Sequence, residues 1–127
     1  HTMRVVMMND LSFLQMLISL GLDIHVSTRN GENAVNALVN SLASKEVLNF
    51  LLANNVEIKA GSDGTRPLTK ALDRATRSTD AVYYAYKLIQ YGAAITEADT
   101  ELVKRIREEN KQSFNLIQRN IPELIGN

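Results

Sequence analysis

Gly31 and Gly64 lie 33 residues apart, and most of what surrounds one recurs around the other at a similar offset. The segment Leu17-Ile18-Ser19-Leu20-Gly21-Leu22-Asp23-Ile24 aligns with Leu51-Leu52-Ala53-Asn54-Asn55-Val56-Glu57-Ile58. Both align with Leu88-Ile89-Gln90-Tyr91-Gly92-Ala93-Ala94-Ile95. The Leu pairs open 34 and then 37 residues apart, so the last full copy carries extra residues. A period near 33 with two helical stripes per unit predicts stacked helix-turn-helix repeats. Such stacks offer a partner an extended surface rather than a closed catalytic pocket.

At 127 residues the chain is the size of one domain, expected to span 3–127. His1-Thr2 reads as a tag remnant ahead of Met3 and is set aside. Within the domain the period gives a partial unit at 3–28, units at 29–61 and 62–96, and a C-terminal capping unit at 97–127. Lys+Arg and Asp+Glu both number 14, which lacks the basic excess of a general nucleic-acid or acidic-membrane binder. There is no cysteine, hence no disulfide frame or thiolate chemistry. No apolar stretch approaches the length of a membrane span, and no export signal is visible, so a cytoplasmic location is the expectation.

Local signals place the elements. Asn9 or Asp10 can cap a helix over Leu11–Leu20, with Gly21 as its left-handed terminator. Its broad apolar face (Leu11, Phe13, Leu14, Met16, Leu17 and Ile18) needs cover, which Met3–Met8 supply only in part. The face is therefore expected to be sealed by a rudimentary helix or by self-association, leaving the chain a monomer or weakly self-associating. Asn30-Gly31 marks a turn before a short helix, Ala34–Leu42, with Val35, Leu38, Val39 and Leu42 inward. Ser44 caps Lys45–Asn54, and Asn55 takes the terminator role of Gly21 and Gly92. Asp63-Gly64 opens the next unit, with Pro67 at a first helical position. Leu68, Ala71, Leu72 and Ala75 point inward, and the loop 76–80 absorbs the extra residues. The following helix, Ala81–Tyr91, turns Tyr84, Ala85, Leu88 and Ile89 inward. Beyond Ile95, Asp99 or Thr100 can cap a helix near 100–109, followed by a second near 112–120. One long helix is the alternative, and Pro122 stops either. Buried candidates there are Leu102, Val103, Ile106, Phe114, Leu116 and Ile117.

On these residues the chain resembles the ankyrin-repeat family. That family's pattern is Gly-x-Thr-Pro-Leu-His-x-Ala, a second helix rich in Val and Leu, then Gly-Ala-Asp-Val-Asn. Here the first part reads Gly64-Thr65-Arg66-Pro67-Leu68-Thr69-Lys70-Ala71 and Gly31-Glu32-Asn33-Ala34-Val35-Asn36-Ala37-Leu38. The distal part reads Gly21-Leu22-Asp23-Ile24-His25, Asn55-Val56-Glu57-Ile58-Lys59 and Gly92-Ala93-Ala94-Ile95-Thr96. The resemblance implies an all-α, ankyrin-like solenoid with hairpins projecting near 22–32, 56–66 and 93–98. Where the family places a hydrogen-bonded Thr and His, this chain has Asn33/Asn36 and Arg66/Thr69, implying a less regular lattice.

Catalytic and metal chemistry needs clustered ligands or a nucleophile beside a base. Outside the remnant the sole histidine is His25, and the glycines are dispersed rather than gathered into a phosphate-cradling loop. Glu101, Glu108 and Glu109 lie among Lys104, Arg105, Arg107 and Lys111, the pattern of a solvated, ion-paired helix face. Tyr83, Tyr84 and Tyr86 could form a stacking platform for single-stranded nucleic acid, but no basic stripe accompanies them. The chain is accordingly expected to be no enzyme and to need no cofactor.

The resemblance implies a non-catalytic module gripping a protein partner by its hairpin tips and the concave side of its first helices. Mapped onto this sequence, the tips are His25, Ser27, Arg29, Lys59, Ser62 and Asp63. The first-helix positions are Ala37, Asn40, Ser41, Lys70, Asp73 and Arg74. A dedicated inhibitor or immunity protein, blocking one enzyme or toxin, is the alternative reading.

Overall fold

The computed structural model describes Arg4 and residues 10–126. Met3 and Val5–Met8, expected to cover part of the first helix, fall outside the described residues. Seven α-helices and a closing 3-10 turn run through residues 10–126: α1 Leu11–Ser19, α2 Ala34–Ser41, α3 Lys45–Ala53, α4 Pro67–Ala75, α5 Asp80–Gln90, α6 Glu97–Glu109, α7 Lys111–Asn120 and the turn Pro122–Leu124. No strand occurs among the described residues, and the extended segments meet only in an isolated Ser27–Asn33 bridge. None of these helices is long and apolar enough to cross a membrane. The chain divides into two compact units, one ending at Pro67 and the other starting at Leu68.

In the first unit, α3 packs against both α1 and α2. Each helix begins where the sequence supplies an acceptor. Asp10 takes the Phe13 N–H at 2.9 Å, and Ser44 takes the Val47 N–H at 3.1 Å. Asn33 and Asn36 cap reciprocally, each side chain accepting from the other's backbone N–H. The core is Leu14, Val35, Leu38, Val39, Val47, Leu48, Leu51 and Leu52, sealed by Ile24 and Val56.

The helix ends repeat at atomic detail. Leu17, Leu51 and Leu88 accept from the N–H groups of Leu22, Val56 and Ala93 at 2.9, 3.1 and 2.9 Å. One step inside, Ile18, Leu52 and Ile89 accept from Gly21, Asn55 and Gly92 at 3.0, 3.1 and 3.0 Å. This paired bonding requires a left-handed residue after the helix, and φ is 109°, 64° and 105° at those three positions. Asn55 therefore does the work of glycine, as its place in the repeat predicts. Side-chain burial follows the repeat less faithfully. Leu51 and Leu88 are fully buried, but Leu17 is only half-buried, and Met16 and Leu20 are 48% and 75% exposed. Of the broad apolar face of α1, only Leu14 is buried.

Helix α2 stops at Ser41 rather than Leu42. Leu42 itself turns left-handed (φ 53°, ψ 36°) and donates its N–H to Leu38 at 2.7 Å. The reason lies two residues on. Ser44 must be extended to cap α3, so the chain has to leave α2 within Leu42–Ala43.

In the second unit, α5 packs on α7, α6 packs on α7, and the 3-10 turn closes against α6 and α7. Leu68, Ala71, Leu72 and Ala75 of α4 are buried as their spacing predicts, with Tyr84, Ala85 and Leu88 of α5. The sequence places α6 a turn too late. Thr96 is its N-cap, and Asp99, three residues in, bonds back to the Thr96 N–H at 2.9 Å. The third hairpin expected near 93–98 is absent, because those residues run straight from the α5 terminator into this cap. The tail forms two helices. Asn110 ends α6 and caps α7, its side chain accepting from Ser113 at 3.1 Å and donating to the Ala75 carbonyl at 3.3 Å. Val103, Ile106 and Ile117 are buried, whereas Leu102, Phe114 and Leu116 are half-buried. Pro122 ends α7 but opens the 3-10 turn, which buries Leu124 alongside Ile121.

Candidate functional site

Two turns of one design project from the first unit. The Thr28 carbonyl accepts from Gly31 at 2.9 Å while the Thr28 N–H donates to Glu32 at 2.8 Å. At the same offset, the Gly61 carbonyl accepts from Gly64 and the Gly61 N–H donates to Thr65, both at 3.0 Å. This is a tight turn closed by a left-handed residue, with φ 89° at Gly31 and 80° at Gly64. Such a turn holds its two tip residues clear of the body, and Arg29, Asn30, Ser62 and Asp63 are all exposed. Asp63 secures its own turn by accepting the Thr65 N–H at 2.9 Å, and Asp23 does likewise for His25 at 2.8 Å.

The two projections are fastened together. The Asn33 and Asn36 side-chain amides donate to the carbonyls of Glu57 and Lys59 at 2.8 and 2.9 Å. These two positions are where the ankyrin pattern has Thr and His, and here they serve as both helix cap and hairpin tie. The Lys59 ammonium donates to the Ser27 hydroxyl at 2.8 Å. The Glu32 carboxylate accepts from the Ser62 backbone N–H and from the Asn40 amide, the latter at 3.2 Å. Gly61 lies directly beneath that carboxylate, where any β-carbon would collide with it.

Of the positions named from sequence, His25, Ser27, Arg29, Asn40, Ser62 and Asp63 are exposed in this unit, and Lys59 is half-buried. Ser41 is also exposed. Ala37 is buried, as is every residue of α2 from Ala34 to Val39. The tie made by Glu32 escaped sequence reading. Its signal was faint, a glycine at 61 immediately ahead of the second turn.

In the second unit, Lys70, Asp73 and Arg74 share α4 and are half-buried rather than freely solvated. Arg77 reaches Asp73 at 3.7 Å, and the Arg74 Nε is buried with no hydrogen-bond partner. Thr69, at the family's histidine position, donates to the Asp99 carboxylate at 2.6 Å and so ties α4 to the α6 cap. On α6, Lys104–Glu101 and Arg105–Glu109 pair at 3.2 and 2.7 Å, the ion-paired face its charge pattern predicts. The Glu109 hydrogen bond pushes the Arg105 guanidinium above its ordinary pKa, and Asp73 acts in the same direction. Tyr84 is buried with Tyr83 set edge-on to it at 6.4 Å, while Tyr86 and Tyr91 are exposed and share the Lys87 ammonium, 5.8 Å from each ring.

Among the described residues no group of three or more metal-ligating side chains is gathered. What the arrangement offers is recognition chemistry: exposed hydroxyl, amide and charged groups at the two tips, on a backbone fixed by side-chain ties. No protein family, curated protein or solved structure matches the chain.

Proposed function

We propose that the chain is a divergent ankyrin-like repeat protein that binds a protein partner without catalysis, through its hairpin tips and the exposed side of its first helices. The observation that carries this reading is the duplicated turn. Thr28–Glu32 and Gly61–Thr65 have the same hydrogen bonds at a 33-residue offset, yet their tips differ, Arg29-Asn30 against Ser62-Asp63. A repeated frame with varied tips separates scaffold from recognition, and conformations fixed before binding reduce the entropy lost on association. The mixture of one guanidinium, one carboxylate, an imidazole and several hydroxyl and amide groups suits the polar part of a protein interface.

The test is co-purification from native lysate with mass spectrometry, followed by affinity measurement on whatever is retained. Reversing Arg29 to Glu should weaken binding by about tenfold or more if this residue sits at the interface centre. Glu46→Lys and Glu108→Lys, exposed on α3 and α6, should leave affinity unchanged. The opposite pattern would remove the tips from consideration. Lys59 and Arg74 are unsuited to this test, since both are half-buried and Lys59 ties one hairpin to the other, so that reversal perturbs the fold.

A further inference from the structure

We infer that Glu32 is a positioning residue that sets the distance between the two hairpin tips, and through it which partner surface the pair of tips accepts. The inference rests on the binding reading above but adds a residue outside the set of tip contacts. Glu32 sits at the base of the first turn, anchored by its own backbone: its N–H donates to the Thr28 hydroxyl oxygen at 3.2 Å and its carbonyl accepts from the Thr28 N–H to close the turn. From that anchor its carboxylate crosses to the second turn and accepts the Ser62 N–H, while the Asn40 amide on α2 holds the other oxygen. One side chain thus joins three elements: both turns and the first helix between them.

The crossing depends on Gly61. Its backbone is not in the left-handed region, so glycine is not needed there for conformation. It is needed because a β-carbon would occupy the space of the Glu32 carboxylate. The other ties act lower down, at the Glu57 and Lys59 carbonyls, or through the long Lys59 stem. Nearer the tip, the Glu32 carboxylate holds the Ser62 N–H itself. A charge-assisted bond to a backbone donor is also stronger than a neutral one.

Two readouts on the intact chain test this without any partner, so their failure is distinct from failure of the binding reading. In amide exchange by NMR, Glu32→Ala should speed the Ser62 N–H about tenfold, the loss expected for a charge-assisted bond. Gly64, bonded within its own turn, should be unaffected. Gly61→Ala should give the same result although the carboxylate remains, because the carboxylate is displaced. Glu32→Gln, which keeps one acceptor oxygen, should fall between. The chain has no cysteine, so spin labels at Arg29→Cys and Ser62→Cys report the tip separation directly. The distance distribution should broaden in both Glu32→Ala and Gly61→Ala. Helical circular dichroism unchanged in the same samples would establish that the fold is intact. Ser62 exchange and tip separation unmoved by both substitutions would overturn the inference.

Discussion

Asn55 and Leu42 both turn left-handed without being glycine, at φ 64° and 53°, and they answer to different forces. For a residue bearing a β-carbon this conformation costs on the order of 1–2 kcal/mol, less for Asn, whose short polar side chain bonds locally. Asn55 is exposed, so nothing but backbone geometry decides its substitution. Asn55→Gly should leave stability unchanged or raise it by a few tenths of a kcal/mol, whereas Asn55→Ala should lose about 1 kcal/mol. Chemical denaturation of the two variants side by side checks the sign. Leu42 was not legible in the sequence, because leucine carries no left-handed signal and its helical spacing pointed inward. Its geometry is imposed by the Ser44 cap two residues later, a constraint from the next element rather than from the residue itself. Asn55 was legible because two glycines occupy its place in the other copies.

The elements separate what a repeat transmits from what it does not. Three helix ends share one hydrogen-bond pattern, so local backbone structure is copied with the sequence. Burial is not copied, because it depends on what lies alongside. Leu51 lies on α3, which packs against α1 and α2, and it is fully buried; Leu17 at the equivalent place is half-buried. Leu51→Ala should cost about 2–5 kcal/mol in denaturant unfolding, and Leu17→Ala roughly half as much. Equal losses would mean that the two positions are packed alike after all. The tail shows the complementary limit. Its apolar stripe marks Val103, Ile106 and Ile117 correctly, but Thr96-x-x-Asp99 falls within the hairpin expected near 93–98, which puts the expected start of α6 too late. Asn110 carries no glycine or proline signal, yet its side chain caps α7 and decides for the two expected helices over the single long alternative.

For the whole chain, the balance of 14 basic and 14 acidic residues distinguishes classes of partner more sharply than any single site. Binding to a polyanion releases counterions and so weakens steeply with salt, and that requires several phosphate contacts from one basic surface. Several of the cations are engaged with nearby acids or rings: Arg77 with Asp73, Lys104 with Glu101, Arg105 with Glu109, Lys87 with two tyrosines, Arg107 over Phe114. The intact protein should pass through immobilised heparin at about 0.1 M salt without retention. Retention abolished by a modest salt increase would favour nucleic acid over a protein partner.

The identity of the two projecting turns also bears on how such a chain can lengthen. Because Thr28–Glu32 and Gly61–Thr65 are closed by the same bonds, a copy of residues 31–63 inserted after Asp63 would join Asp63 to Gly31. That junction is again an acidic or amide residue followed by a left-handed glycine, the dipeptide already present at both tips. No new loop would have to be invented, and the sequence flanking the seam would already favour the right turn. The Glu32 carboxylate would find Gly61 in the inserted copy as it does in the original. A gene encoding this segment is therefore one recombination step from a longer array, with its seams at the tips, where the backbone tolerates insertion best.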